Sequence, residues 1–204
     1  MSAIVWGIGK PPVPSRRLRS ALATGLGLAL AALGAARGLA RPPQATSASE
    51  YDIKAVFLYQ FTRYLQWPEG IEPEAFTIVV LGESPIIEPL QEIAKKKTVG
   101  SKAIVVRQCA EVEEIGRPRI LFYAKSAVPK IARVLEKTRG TDILIVGEAE
   151  GLGSRGVAIN FVLQEGTVKF EMNEKTLNEA RIRTSSQLLK LAILVDGEGT
   201  GSRR

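Results

Sequence analysis

Few side chains in this 204-residue sequence are of a type and spacing to do chemistry. The candidates are Glu83, Ser84, Lys125, Ser126 and Glu148, each just beyond a short apolar run. If those runs are parallel strands, their carboxyl ends are where an open α/β sheet gathers ligands. Carboxylates and a lysine there can bind a small polar ligand or exchange protons with a substrate. The alternative is plainer: Ser84 and Ser126 cap helices, while Glu83, Lys125 and Glu148 face water. No two of the carboxylates stand at a recognised catalytic spacing.

Other chemistries are excluded by composition. The chain has no histidine and one cysteine, Cys109. No Ser-His-Asp or Cys-His set can be assembled, nor a histidine-bearing metal site, nor a thiolate cage. One cysteine makes no internal disulfide, so Cys109 is an unpaired thiol, either buried as a small hydrophobe or exposed. No catalytic, metal or cofactor site is expected. Gly151-Leu152-Gly153-Ser154-Arg155-Gly156 spells G-x-G-x-x-G, but a dinucleotide fingerprint must open a helix. Here Val157, Ile159 and Phe161 alternate with Ala158 and Asn160, which predicts a strand instead.

The elements that must position these residues follow from periodicity. Ser49-Glu50-Tyr51-Asp52 resembles a capping box, and Ile53, Phe57, Phe61 and Leu65 recur at helical spacing until Trp67-Pro68. That stripe reads as a core face. Short, nearly continuous apolar runs at 76–81, 103–106, 120–123 and 143–146 suit strands buried on both sides. Helical segments at 85–97 and 127–137, the second capped by Ser126, separate some of them. A hairpin turning at Glu165-Gly166 follows, then short helices at 174–180, capped by Asn173, and at 186–195, capped by Thr184 or Ser185. The reading is one α/β domain: a mostly parallel central sheet, helices on both faces, and a C-terminal antiparallel hairpin.

The formal net charge is +7. Residues 1–40 contribute five of those charges through Lys10, Arg16, Arg17, Arg19 and Arg37, with no acid. The remainder is close to neutral, so no basic face for nucleic acid is expected. The Arg16-Arg17-Leu18-Arg19 cluster precedes an uncharged Ala/Leu/Gly stretch, Ala21 to Gly34. That is short for a bilayer span and suits the h-region of an export signal, with small residues Gly38 and Ala40 at a cleavage site. A retained anchor is the other reading. The expected organisation is a signal peptide over 1–40, a linker over 41–48, the domain over 49–196 and a polar tail over 197–204. The mature protein is expected in the periplasm and not to span a membrane.

Four blocks carry a family resemblance. KAVFLYQFTRYLQWP (54–68), FTIVVLGESP (76–85), GVAINFVLQEGTVKFEMN (156–173) and RIRTSSQLLKLA (181–192) resemble, in order, the blocks of the YfiR family. The resemblance covers about 50–195. It implies a non-enzymatic periplasmic protein, dimeric, that restrains a membrane-bound diguanylate cyclase by binding its periplasmic sensor domain, limiting cyclic di-GMP signalling and biofilm formation. Better-known members form disulfides, and with Cys109 alone that redox behaviour does not transfer. A small-molecule receptor using the polar strand ends, feeding a transporter or sensor kinase, is the second reading. An enzyme using Glu83, Lys125 and Glu148 is the third.

Overall fold

The computed structural model describes residues 44–69 and 74–196. The chain opens on helix α1 (Gln44–Tyr64), followed by a two-residue strand β1 (Leu65–Gln66). Then come β2 (Phe76–Leu81), α2 (Ile87–Lys96), β3 (Thr98–Val99) and β4 (Lys102–Cys109). A 3-10 turn over Val112–Ile115 leads to β5 (Ile120–Tyr123). A second, over Lys125–Lys130, runs into α3 (Ile131–Thr138), and β6 (Leu144–Gly147) follows. The chain ends with β7 (Ile159–Gln164), β8 (Thr167–Met172), α4 (Glu174–Glu179), β9 (Arg183–Thr184), α5 (Ser186–Leu189) and β10 (Ile193–Leu194).

Eight strands form one sheet in the order β10-β8-β7-β6-β5-β2-β4-β3. Strands β4, β2, β5, β6 and β7 are parallel neighbours, while β8 pairs antiparallel with β7 and β3 antiparallel with β4. The parallel block runs, in chain order, second-first-third-fourth-fifth. That is a doubly wound sheet, and its winding reverses between β2 and β5. The α/β class with a mostly parallel sheet and a C-terminal hairpin is as expected from the sequence.

Strand alternation divides the core between two faces. Phe76, Ile78 and Val80 of β2 join Phe122, Val146, Phe161 and Phe170 under α1 and α2. Val79 and Leu81 join Leu121, Tyr123 and Ile145 against the first 3-10 turn and α3. Both faces of the central strands are thus apolar, which is why their sequences read as continuous apolar runs rather than alternating ones. The hairpin joins Gln164 to Thr167 through Glu165 and Gly166, both at positive φ (52° and 73°). That is the turn whose twist matches the strands it connects.

Several boundaries differ from the sequence reading. Helix α1 starts at Gln44, inside the segment read as a linker, because no glycine or proline interrupts the chain from there to Pro68. Strand β4 extends to Cys109 because β2 pairs with it over its full length. Ser126 caps no helix: it lies within a 3-10 turn and bonds across to the β2 loop. The last helix is four residues long, capped by Ser185 through the Leu188 N–H, and the chain beyond it returns to the sheet as β10 beside β8. Asn173 does cap α4, accepting from the Thr176 N–H at 3.0 Å. The glycine-rich stretch from Gly151 is a series of turns that enters β7 with no helix. The segment read as an export signal lies outside the described residues. Among the described residues no helix is long and apolar enough to cross a membrane.

Candidate functional site

At the carboxyl end of β6 the chain places Glu148 in the interior, 3% exposed. Lys54 of α1, 2% exposed, meets it: Lys54 Nζ lies 2.8 Å from Glu148 Oε2 and 2.5 Å from Glu50 Oε1. The other carboxylate oxygen, Glu148 Oε1, accepts from the Lys125 N–H at 3.3 Å and from the Tyr51 hydroxyl at 3.5 Å. The Lys54 ammonium also sits 4.6 Å from the centre of the Tyr51 ring, within cation–π range. Burial first, and the Glu148 charge second, push the Tyr51 phenol up to about 12. These contacts join α1 to the ends of β5 and β6. A carboxylate so occupied is a clamp, not a solvent-facing acid or base, and Glu148 does not face water as the plainer reading held.

The remaining candidates sit at the winding reversal. The Ser126 hydroxyl accepts from the Glu83 N–H at 2.8 Å and donates to the Glu83 carbonyl at 3.0 Å. Gln108 Nε2 donates to the Gly82 carbonyl at 2.8 Å, and Ser84 Oγ accepts from the Ile86 N–H at 3.4 Å. Gly82 has φ +92°, and a Cβ there would stand 2.5 Å from Ser126 Oγ. Here glycine is required both by the backbone and by the close approach of the two loops. A cavity of about 480 Å³ borders them, with Lys130 on its rim, but Lys130 already binds Glu111 Oε1 and the Ala110 carbonyl. The Glu83 and Lys125 side chains are exposed, and neither reaches the Glu148 carboxylate. The structure therefore brings Glu83 and Ser126 together through backbone contacts, and Lys125 to Glu148 through its amide. Cys109 ends β4 as a buried free thiol whose pKa is raised by burial and by nearby Glu114.

The sequence reading missed a surface. Of the predicted stripe, Phe57, Phe61 and Leu65 pack into the core, and α1 also buries Lys54, Ala55 and Leu58. Phe61 packs edge-on to Phe170 with ring centres 5.3 Å apart. Ile53 and Val56 are left 43% and 49% exposed. Val56, Tyr51, Pro85, Pro89 and Ile93 line an open groove of about 430 Å³ between α1 and α2, with Asp52, Glu88 and Glu92 on its rim. Tyr51 thus belongs both to the buried clamp and to the groove. The signal available in the sequence was Lys54 itself, a lysine in the middle of an apolar helical face and four residues after Glu50. Among the described residues no group of histidine, cysteine, aspartate and glutamate is placed to hold a metal ion.

A doubly wound sheet, with strand-end polar groups spent on one another and an apolar groove beside them, defines the class as an α/β protein of the flavodoxin-like winding. Residues 51–193 match the YfiR/HmsC-like family model, and the chain belongs to that family. This is a regulatory, non-catalytic family of the periplasm that acts on diguanylate cyclase signalling. The chain is also similar in fold to a crystal structure of an ABC domain in complex with L-Trp from Streptococcus pneumonia. The TM-score is 0.50 at 14% identity, over 67% of this chain and 58% of that one. At that identity the likeness concerns the fold alone. No curated protein matches the sequence.

Proposed function

We propose that the protein is exported through a cleaved signal over residues 1–40 and acts in the periplasm as a homodimer. There it binds the periplasmic sensor domain of a membrane-bound diguanylate cyclase and holds the enzyme inactive. The observation that carries this reading is the family match over residues 51–193. The exposed apolar groove beside Ile53 and Val56 supports contact as the mode of action, since an apolar centre with a charged rim is the usual anatomy of a protein interface. The mechanism is a population shift. A repressor that prefers the inactive cyclase by about 5 kcal/mol moves the enzyme almost wholly to that state, and one with no preference moves nothing.

The test is co-purification of the exported protein with the cyclase's periplasmic domain, beside measurement of cyclic di-GMP in a deletion strain. Binding at micromolar concentration with raised cyclic di-GMP on deletion is the expected result. Absent binding together with an unchanged nucleotide level overturns the proposal. Sedimentation of the same sample reads the homodimer, and amino-terminal sequencing reads the cleavage.

A further inference from the structure

Several cations on this domain have an acidic partner. Lys95 and Lys96 pair with Glu92, Lys130 with Glu111, Arg133 with Glu113, and Arg119 with Asp142. At the amino end of the parallel strands, where Arg119 meets Asp142, three further cations stand without such a partner. Arg139 just past α3, Arg155 in the loop before β7, and Lys175 in α4 line one cavity of about 760 Å³. None of the three has a carboxylate within ion-pair distance among the described residues. Glu179 is the single carboxylate on that rim, which leaves an excess of two positive charges. The wall between them is mixed: Leu135, Ile143 and Ala180 alternate with Thr138, Thr141 and Thr176.

A basic residue after a helix often serves the helix's own terminal carbonyls. Arg139 does not have that role here. The Val134 carbonyl accepts from Thr138 Oγ1 at 2.7 Å, and the Glu136 carbonyl from the Arg139 N–H at 3.3 Å. The Thr138 carbonyl accepts from both the N–H and the hydroxyl of Thr141, at 3.1 and 2.6 Å. None of these bonds uses the guanidinium, which stays available at the cavity. Three elements distant in sequence thus bring unpaired cations around one hollow with a mixed wall, and its volume lies within the range of small-molecule sites.

We infer that this cavity binds a small organic anion, a carboxylate or phosphate ester carrying an apolar group. The cations neutralise the charge, and the half-buried Leu135 and Ala180 take the apolar part. The site lies at the opposite end of the sheet from the strand-end residues Glu83, Ser84, Lys125, Ser126 and Glu148. It stands apart from cyclase binding, so either idea can fail without the other.

Phenyl phosphate is the probe, titrated into isotope-labelled protein and followed by backbone amide shifts, with phenol and inorganic phosphate as controls. Saturable shifts centred on Thr141, Gly156 and Thr176 are expected, with affinity at least about tenfold above either control. The double substitution Arg139→Ala with Lys175→Ala should weaken binding by about tenfold or more. Arg133→Ala, whose side chain pairs elsewhere with Glu113, should leave it unchanged. Arg155→Gln, a single exposed change, repeats the test should the double variant fold poorly. Any of three results overturns the inference: no saturation by about 10 mM, either control binding as tightly as phenyl phosphate, or undiminished binding in the cation variants.

Discussion

Lys54 and Glu148 show how a charged residue can be structural. Both side chains are almost wholly buried, at 3% and 1% exposure, and each is satisfied by the other and by its neighbours. Removing one partner leaves a charge uncompensated in the interior, at a cost of about 3–5 kcal/mol. Lys54→Met should therefore lower unfolding stability by that amount in urea titration. Lys54→Met combined with Glu148→Leu should recover most of the loss, because no charge is then stranded. Equal losses in the single and double variants would show that the pair is not what holds α1 to the sheet. In the sequence Glu148 was visible only as a carboxylate after a strand, open to either a ligand or a solvent role. Its partner lies 94 residues earlier, and no local pattern specifies a contact of that separation.

Elements were legible where burial was uniform along them. Strands β2 and β5 and the β7–β8 hairpin match the apolar runs and the Glu165-Gly166 turn, since both signals depend only on adjacent residues. Helix α1 was legible as a helix and in most of its core stripe. Of the stripe Ile53, Phe57, Phe61 and Leu65 the last three pack inward, while Ile53 turns to solvent as the Lys54 clamp, Ala55 and Leu58 take the buried side. Loop docking at the winding reversal was equally hidden, because Ser126 reads as a helix cap until the β2 loop is beside it. Gly82→Ala tests that docking. A side chain at φ +92° is strained, and its Cβ displaces the Ser126 hydroxyl from both Glu83 bonds. A loss of about 1–3 kcal/mol is expected from the strained backbone alone. Gly140→Ala, which meets nothing within 4 Å at its own positive φ (73°), should cost less. The two midpoints compared by thermal melting separate backbone strain from lost docking.

At the scale of the molecule, the two layers of helices leave the α1–α2 groove uncovered, and the contact reading is tested there. Val56 is half exposed, so Val56→Arg should leave the melting temperature within a few degrees of wild type, as surface changes of under about 0.5 kcal/mol do. If the groove is the partner face, that substitution places a charge at its apolar centre and should weaken cyclase-domain binding by about tenfold or more. Undiminished binding would move the interface elsewhere on the domain. The net charge of +7 carries little of this function, since five of those charges lie in residues 1–40. By itself the sequence determined the α/β class, the hairpin and its turn, the absence of histidine chemistry and the lone thiol, and the motif order that carries the family. Those properties follow from composition and from neighbours along the chain. Only the tertiary structure decided that Glu148 is a buried clamp, that Ser126 joins two loops, that α1 shows Ile53 and Val56 to solvent, and that Arg139, Arg155 and Lys175 share one cavity. Each of these depends on residues tens of positions apart meeting in space, and packing alone brings them together.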